Sequence, residues 1–425
     1  MAIKTFYYFP FILFCFFAKN IDAQQLIVVN GGLFGSSTEF ANVGIYNSAN
    51  GSYSNLDTIR TNSVQDVLVE DNRYIYVAAQ DSIVKYDLWT SERVAAARFG
   101  ATSTIRLGLY GEKLIVGNWY GASEGNLRIF DKNSLSFIDS IPEISKGATD
   151  FSIIGNKAFI AQNNTNANYA DTLGYIAVVD LDNLSFLRYD TLSSVGDEIG
   201  RLVNVGDTAI YTLNGVSNTI SMLHLGTGNK QTQAASALLY PKSVGATIFH
   251  DGSNWFLPFN NGIGTYDLVN NTVVNADIVT LPSMYNFAFG VDVNAGKIYV
   301  SNFDYSNQAN NIGMVYNLSG DSTSVFPVGL SPEVLGILKS NVSLGNFANN
   351  TLQFDFQLFP NPCSELLNIS SSTEIGSVRI SDLTGRILLE KQGIENITFQ
   401  IGTALLPKGI YLITVGKGTH SFIKN

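Results

Sequence analysis

Charge, histidine and cysteine are all scarce in this chain, and each scarcity closes off a class of function. Only 14% of the 425 residues are charged, and 25 Lys and Arg against 35 Asp and Glu give a formal charge of −10. No basic patch is available to neutralise a phosphate backbone, so nucleic acid is not expected as a partner. Three His and two Cys cannot assemble a clustered zinc or copper site. No carboxylate spacing resembles a calcium loop, and no cofactor is implied. Cys15 falls in the N-terminal segment, leaving Cys363 as the one thiol of a processed chain and excluding an intramolecular disulfide. Beyond that segment no apolar run reaches the ~18 residues of a membrane helix, so the mature chain is expected to carry no transmembrane segment.

What is abundant points to strands and turns. Aromatic residues make up 12%, with 27 Phe and 20 Tyr, and 38 Gly separate short runs of Val, Ile and Leu. Residues 1–23 read as a signal peptide: Lys4 supplies the positive region, Phe9 to Ala18 the apolar region, and Ala23 the small residue before Gln24. Bulky Phe14 before Cys15 argues against a lipidation site.

An internal repeat organises residues 24–340. A strand ending in an amide is followed by a loop, a strand ending in Asp or Asn, and an outer strand. Tyr76 to Gln80 with Ile83 to Asp87, Leu114 to Asn118 with Leu127 to Asp131, and Phe159 to Asn163 with Ile176 to Asp180 carry the pattern clearly. Looser copies run from Ile210, Phe256 and Ile298, and a further copy opens the chain at Leu26 to Asn30. Each copy except the first is preceded by a strand and a hairpin turn such as Asp71-Asn72 or Gly111-Glu112. The first copy lacks that strand, and a spare one, Pro332 to Leu338, follows the last. The offset predicts an all-β, seven-bladed β-propeller closed by its C-terminal strand. Residues 341–355 read as a polar, Asn-rich linker, and residues 356–425 as a small β-sandwich of about seven short strands.

The repeat resembles the YVTN/YncE-like propeller family, carried by Ile298-Tyr299-Val300-Ser301-Asn302 and Ile176-Ala177-Val178-Val179-Asp180. Secreted propellers of this kind include proteins that capture corrinoids at a bacterial surface, so the resemblance implies fold before ligand. The tail is similar to the type A sorting domain of the type IX secretion system of Bacteroidetes. Leu358 to Pro362 with Leu367 to Ile369, Val378 to Asp382 with Gly385-Arg386, and Leu406 to Tyr411 are the matching blocks. That resemblance implies passage through the periplasm to the outer surface or medium, with the secretion machinery as partner of residues 356–425. Triplets such as Asp57-Thr58-Ile59, Asp81-Ser82-Ile83, Asp171-Thr172-Leu173 and Asp190-Thr191-Leu192 resemble an O-glycosylation motif of the same bacteria and also suit plain turn-to-strand chemistry.

Strand polarity puts Asn30, Gln80, Asn118, Asn163, Asn214, Asn260 and Asn302 at one end of the sheets, beside loop aromatics Phe34, Trp119, Tyr120, Tyr169, Phe303 and Tyr305. Amides beside flat apolar surfaces suit a sugar, heterocycle or peptide; equally, an Asn caps its own turn. Counting back from the hairpin turns makes Asp66, Arg106, Asp150 and Arg201 equivalent, either as ion pairs between blades or as the lining of a central funnel. Gly121-Ala122-Ser123-Glu124-Gly125 matches a nucleophile pattern, but the setting lacks a strand-to-helix elbow, and His224, His250 and His420 are placed out of reach. The reading favoured is an exported binding protein for an unknown extracellular ligand; the alternative is a secreted lyase or hydrolase using carboxylates and Arg.

Overall fold

A computed structural model describes residues 25–48, 50–99, 104–119, 124–165, 171–192, 199–215, 217–237, 249–251, 254–259, 262–281, 286–304, 311–338, 356–371, 374–382, 386–415 and 418–424. The signal segment, the 341–355 linker, Tyr120, Ser123, Tyr169, Asn260 and Tyr305 lie outside them. The described residues are all-β, and none forms a helix long and apolar enough to cross a membrane. The chain divides into two compact units, residues 1–341 and 342–425.

The first unit is a series of four-stranded antiparallel sheets, seven among the described residues. Sheet 1 comprises Pro332–Ile337, Gln25–Asn30, Ala41–Asn47 and Ser52–Ile59, taken from first to fourth strand. Sheet 2 comprises Asp66–Glu70, Tyr74–Ala79, Ser82–Asp87 and Glu92–Arg98, and sheet 3 comprises Thr104–Tyr110, Lys113–Asn118, Leu127–Asp131 and Phe137–Ile141. Sheet 4 holds Ala148–Ile154, Lys157–Thr165, Asp171–Asp180 and Ser185–Thr191, and sheet 5 holds Ile199–Val205, Ala209–Asn214, Thr219–His224 and Lys230–Ala234. Sheets 6 and 7 start at Phe249–Asp251 and Asn286–Asp292 and continue in the same order to Thr272–Thr280 and Ser322–Phe326. The spare strand lies where the sequence offset places it: Leu26 is opposite Ile337 and Val28 opposite Leu335, antiparallel.

Period-two alternation explains why the second strands are apolar at nearly every residue. Ile27 and Val29 pack with Ile75 and Val77 of sheet 2, whereas their neighbours Leu26 and Val28 pack with Ala288, Tyr299 and Phe326 of sheet 7. Tyr76 and Ala78 face the other way, onto Leu114 and Val116 of sheet 3. Both faces of each such strand are therefore covered, as in a doubly packed sheet. Fourth strands such as Glu92–Arg98 and Lys230–Ala234 are exposed at most positions and fully buried at none. Each fully buried Val, Ile or Leu is worth about 1.5–3 kcal/mol, against roughly 0–1 kcal/mol for an exposed ion pair. Inter-sheet packing thus outweighs surface pairs such as Arg98 with Asp81.

The Asp that ends the third strand of several sheets has a local task. Oδ1 of Asp131 accepts the Asn133 and Ser134 amides at 3.0 and 2.7 Å, Asp180 those of Asp182 and Asn183, and Asp267 those of Val269 and Asn270. In sheet 5, His224 takes the same place, its Nδ1 accepting from Gly226 and Thr227 at 3.2 Å. The repeat signature is a turn cap written by chemistry, so an imidazole can substitute for a carboxylate.

The second unit contains a three-stranded sheet (Phe356–Phe359, Leu366–Ser371, Thr398–Gly402) and a four-stranded one (Gly376–Ser381, Ile387–Ile394, Gly409–Val415, Gly418–Lys424). They share one core that includes Leu367, Ile369, Val378, Ile413, Phe422 and buried Cys363.

The turn caps make a pH prediction. Backbone N–H donors, those of Ser134, Asn183 and Asn270 foremost, hold the Asp131, Asp180 and Asp267 carboxyls below the usual carboxylate range. Their contribution is complete above the ordinary carboxylate pKa near ~3.9 and is lost as pH falls through the lower folded values. Replacing all three by Asn, which keeps the acceptor oxygen, should shrink the loss of urea stability between about pH 6 and pH 2.5; an undiminished loss would contradict the assignment.

Candidate functional site

Where the first strands meet, strand register makes the four charged positions equivalent. Asp66 lies opposite Ala78, Arg106 opposite Gly117, Asp150 opposite Ala161 and Arg201 opposite Leu213. In sheets 3, 4 and 5 a bulge immediately precedes the charged residue, and bulges re-aim side chains. In sheets 3 and 4 the side chains, Arg106 and Asp150, reach a neighbouring sheet. Asp66 accepts the Val67 amide with Oδ1 and the Leu107 amide of sheet 3 with Oδ2 at 2.9 Å. Asp150 repeats this with Phe151 and, at 3.0 Å, Leu202 of sheet 5. Arg106 closes the series, donating through Nε to Asp150 at 3.2 Å and through Nη1 to the Gln65 carbonyl. Arg201 donates to the Gly200 carbonyl at 3.2 Å.

Two further carboxylate and hydroxyl links extend the pattern. Glu333 of sheet 1 accepts the Val64 amide just before sheet 2, and the Thr149 hydroxyl donates to the Ile199 carbonyl of sheet 5 at 3.0 Å. Glu333 also occupies the space beside Gly31, where a Cβ would lie 2.5 Å from its carboxylate. The electrostatics follow from burial. Desolvation raises the Asp66 carboxyl despite the attraction of Arg106 and the Leu107 N–H. Arg201 is pushed down to about 9 by burial and by the Arg106 charge, against the attraction of Asp150 and Asp66.

The expected amide ring is present in part, and its described members are buried. By register the equivalents of Asn118 and Asn214 are Gln162 in sheet 4, not Asn163, and Ala79 in sheet 2, not Gln80. The hairpin of sheet 4 pairs onward to Thr165 opposite Asp171, which carries Asn163 past the ring position. Asn30, Asn118, Gln162, Asn214 and Asn302 are all buried. Asn214 accepts from Thr212 and donates to Thr219 and Ser221 at 2.8–3.0 Å. Asn30 donates to Asn42 and accepts the Gly329 amide at 2.9 Å, and Gln162 donates to the Lys146 carbonyl at 3.0 Å. Asn30, Gln162 and Asn214 therefore bond within the protein, whereas the buried side-chain oxygens of Asn118 and Asn302 have no hydrogen-bond partner among the described residues.

The aromatics divide. Phe303 is the last residue of its strand and is fully buried, because that strand continues one residue beyond Asn302 rather than turning into loop. Trp119, directly after the second strand of sheet 3, is 48% exposed, and Phe34, in the corresponding loop of sheet 1, is 79% exposed. The structure therefore presents Trp119 and Phe34 to solvent and places Asn118, Asn214, Asn302, Phe303 and Arg201 inside. Among the Asp-Ser/Thr-apolar triplets, Thr58 and Thr191 are exposed, whereas Ser82 is buried with its hydroxyl on Asp81. No group of three or more His, Cys, Asp or Glu able to hold a metal occurs among the described residues.

Stacked four-stranded sheets whose first strands contact one another define an all-β, propeller-like protein. Solved structures of the same fold agree. A protein of unknown function from Desulfotomaculum acetoxidans matches with TM-score 0.55 at 13% identity, over 75% of this chain and 100% of its own. A 6-phosphogluconolactonase candidate from Bacteroides fragilis matches with TM-score 0.52 at 12% identity, over 76% and 99%. No curated protein sequence matches the chain. Residues 357–425 match the secretion system C-terminal sorting domain family, and this tail supports export by type IX secretion to the cell surface or the extracellular space.

Removing one partner of a buried pair costs more than the pair contributes, because the other charge is left desolvated. Asp150→Ala should therefore lower unfolding stability in urea by about 3–5 kcal/mol. A loss below about 0.5 kcal/mol, the scale of an ordinary surface substitution, would mean that the carboxylate does not join the sheets.

Proposed function

We propose that the chain is a secreted binding protein: a seven-bladed propeller of residues 24–340, closed by Pro332 to Leu338, carried out of the cell by the tail. In this reading residues 1–23 are a signal peptide, 341–355 a linker and 356–425 a type IX sorting domain. Closure is supported by the packing of sheet 1 against both sheet 2 and sheet 7. The YVTN-like assignment rests on the repeated strand ends.

The single observation that carries the binding reading is the exposure of Trp119 and Phe34 on loops leaving the same end of the sheets. Large aromatic side chains held out by a rigid β scaffold are costly to leave in water and suited to stacking on a sugar, heterocycle or peptide. The reading extends the face to Tyr120, Tyr169, Tyr305 and Asn260, which the sequence repeat puts after second strands; the buried amides and the Arg106 and Arg201 network support it from beneath. The enzyme reading is less favoured, because both oxygens of Asp150 are engaged by backbone amides and Arg106.

A thermal-shift panel of oligosaccharides, haem and corrinoids on the intact chain tests this, since a ligand of the native state raises its stability. Trp119→Ala with Phe34→Ala should abolish the stabilisation while leaving the unliganded melting temperature within about 2 °C, as expected of exposed positions. Unchanged affinity in that variant would reject the face.

A further inference from the structure

The flank of the first unit carries a cleft between sheets 2 and 3 of about 360 Å³, whose lining runs from Arg98 and Glu124 at the loop-bearing end to Phe137 at the other. It exists because the fourth strand of sheet 2 reads Val94-Ala95-Ala96-Ala97-Arg98, and Ala95 and Ala97 are the side chains it turns toward sheet 3. Small residues there leave the outer edges of the two sheets apart. The space is walled by three rings: Phe99 and Phe130 at 4.9 Å, and Phe130 and Phe137 edge to face at 5.7 Å, with Phe137 52% exposed.

One cation faces this aromatic wall. Arg128 lies two residues before Phe130 on the same face of its strand, its guanidinium carbon 5.8 Å from the Phe99 ring centre. Its Nε is buried and has no hydrogen-bond partner among the described residues. The cleft's other arginine, Arg98, is 76% exposed and committed to Asp81 at 2.8 Å. A buried N–H costs free energy until it is paired, and a guanidinium pairs best with a carboxylate presented side-on. Glu124 at the rim adds one negative charge, which disfavours polyanions such as sugar phosphates.

We infer that this cleft binds a small aromatic carboxylate, its ring on Phe130 and Phe137 and its carboxylate on Arg128. A volume of this size, aromatic rings in the wall and one arginine with an unpaired N–H are attributes of a small-molecule site. Glu124 comes from the loop that begins at Trp119, but Arg128, Phe130 and Phe137 belong to strands of sheet 3, so this site and the loop face proposed above can each fail without the other.

Calorimetric titration of the intact chain with 2-naphthoate, and with uncharged 2-naphthamide as the isosteric control, tests the inference. Naphthoate should bind at least about tenfold more tightly than the amide, the discrimination expected of one charge-assisted contact. Arg128→Met should erase that difference, and Ala97→Phe, which fills the cleft, should abolish binding of both with the melting temperature retained. Trp119→Ala should leave naphthoate affinity unchanged. Equal affinity of wild type for the two probes, retained naphthoate binding in Ala97→Phe, or no binding up to about 5 mM, weaker than the usual millimolar limit of a specific site, would each overturn it. Should Arg128→Met fail to fold, the probe comparison on wild type and on Ala97→Phe still decides.

Discussion

The first strand of each sheet has a second strand on one side only, so about half of its backbone N–H groups point away from the ladder and find no partner in it. Leaving such groups unpaired in a buried setting costs about 1–3 kcal/mol each, and an open strand edge invites wrong pairing. Asp66, Asp150 and Glu333 supply the missing acceptors, taking the amides of Leu107, Leu202 and Val64 across the inter-sheet gaps. Arg106 offsets the negative charge this concentrates. The remainder of the first unit depends on that arrangement, because the second strands can be apolar on both faces only if neighbouring sheets are held in contact.

The same constraint separates scaffold from surface. Residues at the strand ends that look available for recognition, such as Asn214 and Asn302, are buried. What reaches solvent is set one or two residues later, where the chain leaves the strand: Trp119 follows buried Asn118 directly. Burial deepens from the fourth strand to the second, and the flank cleft arises where the fourth strand of sheet 2 carries alanines.

Much of this was legible in the sequence. The period, the displaced strand at Pro332 and the equivalence of Asp66, Arg106, Asp150 and Arg201 follow from turn chemistry and alternation, which are local signals. Registers one residue off at Gln80 and Asn163 were not, because the length of a hairpin depends on cross-strand pairing beyond the repeat. Phe303 was misplaced for the same reason: one further residue of strand converts a loop aromatic into a core one. The cleft was invisible, since the Ala run acquires meaning only opposite Phe130 and Arg128 of another sheet. The sorting tail, by contrast, is carried by contiguous blocks and needed no tertiary information.

Amide hydrogen exchange at Leu107 and Leu202 tests the central claim most directly. Both N–H groups bond to a carboxylate of the adjacent sheet rather than to a strand partner, so side-chain bonding alone protects them. The account predicts protection comparable to the ladder amides of the second strands, with Leu202 losing it selectively in Asp150→Ala. Exchange at both sites as fast as in the exposed fourth strands would contradict it.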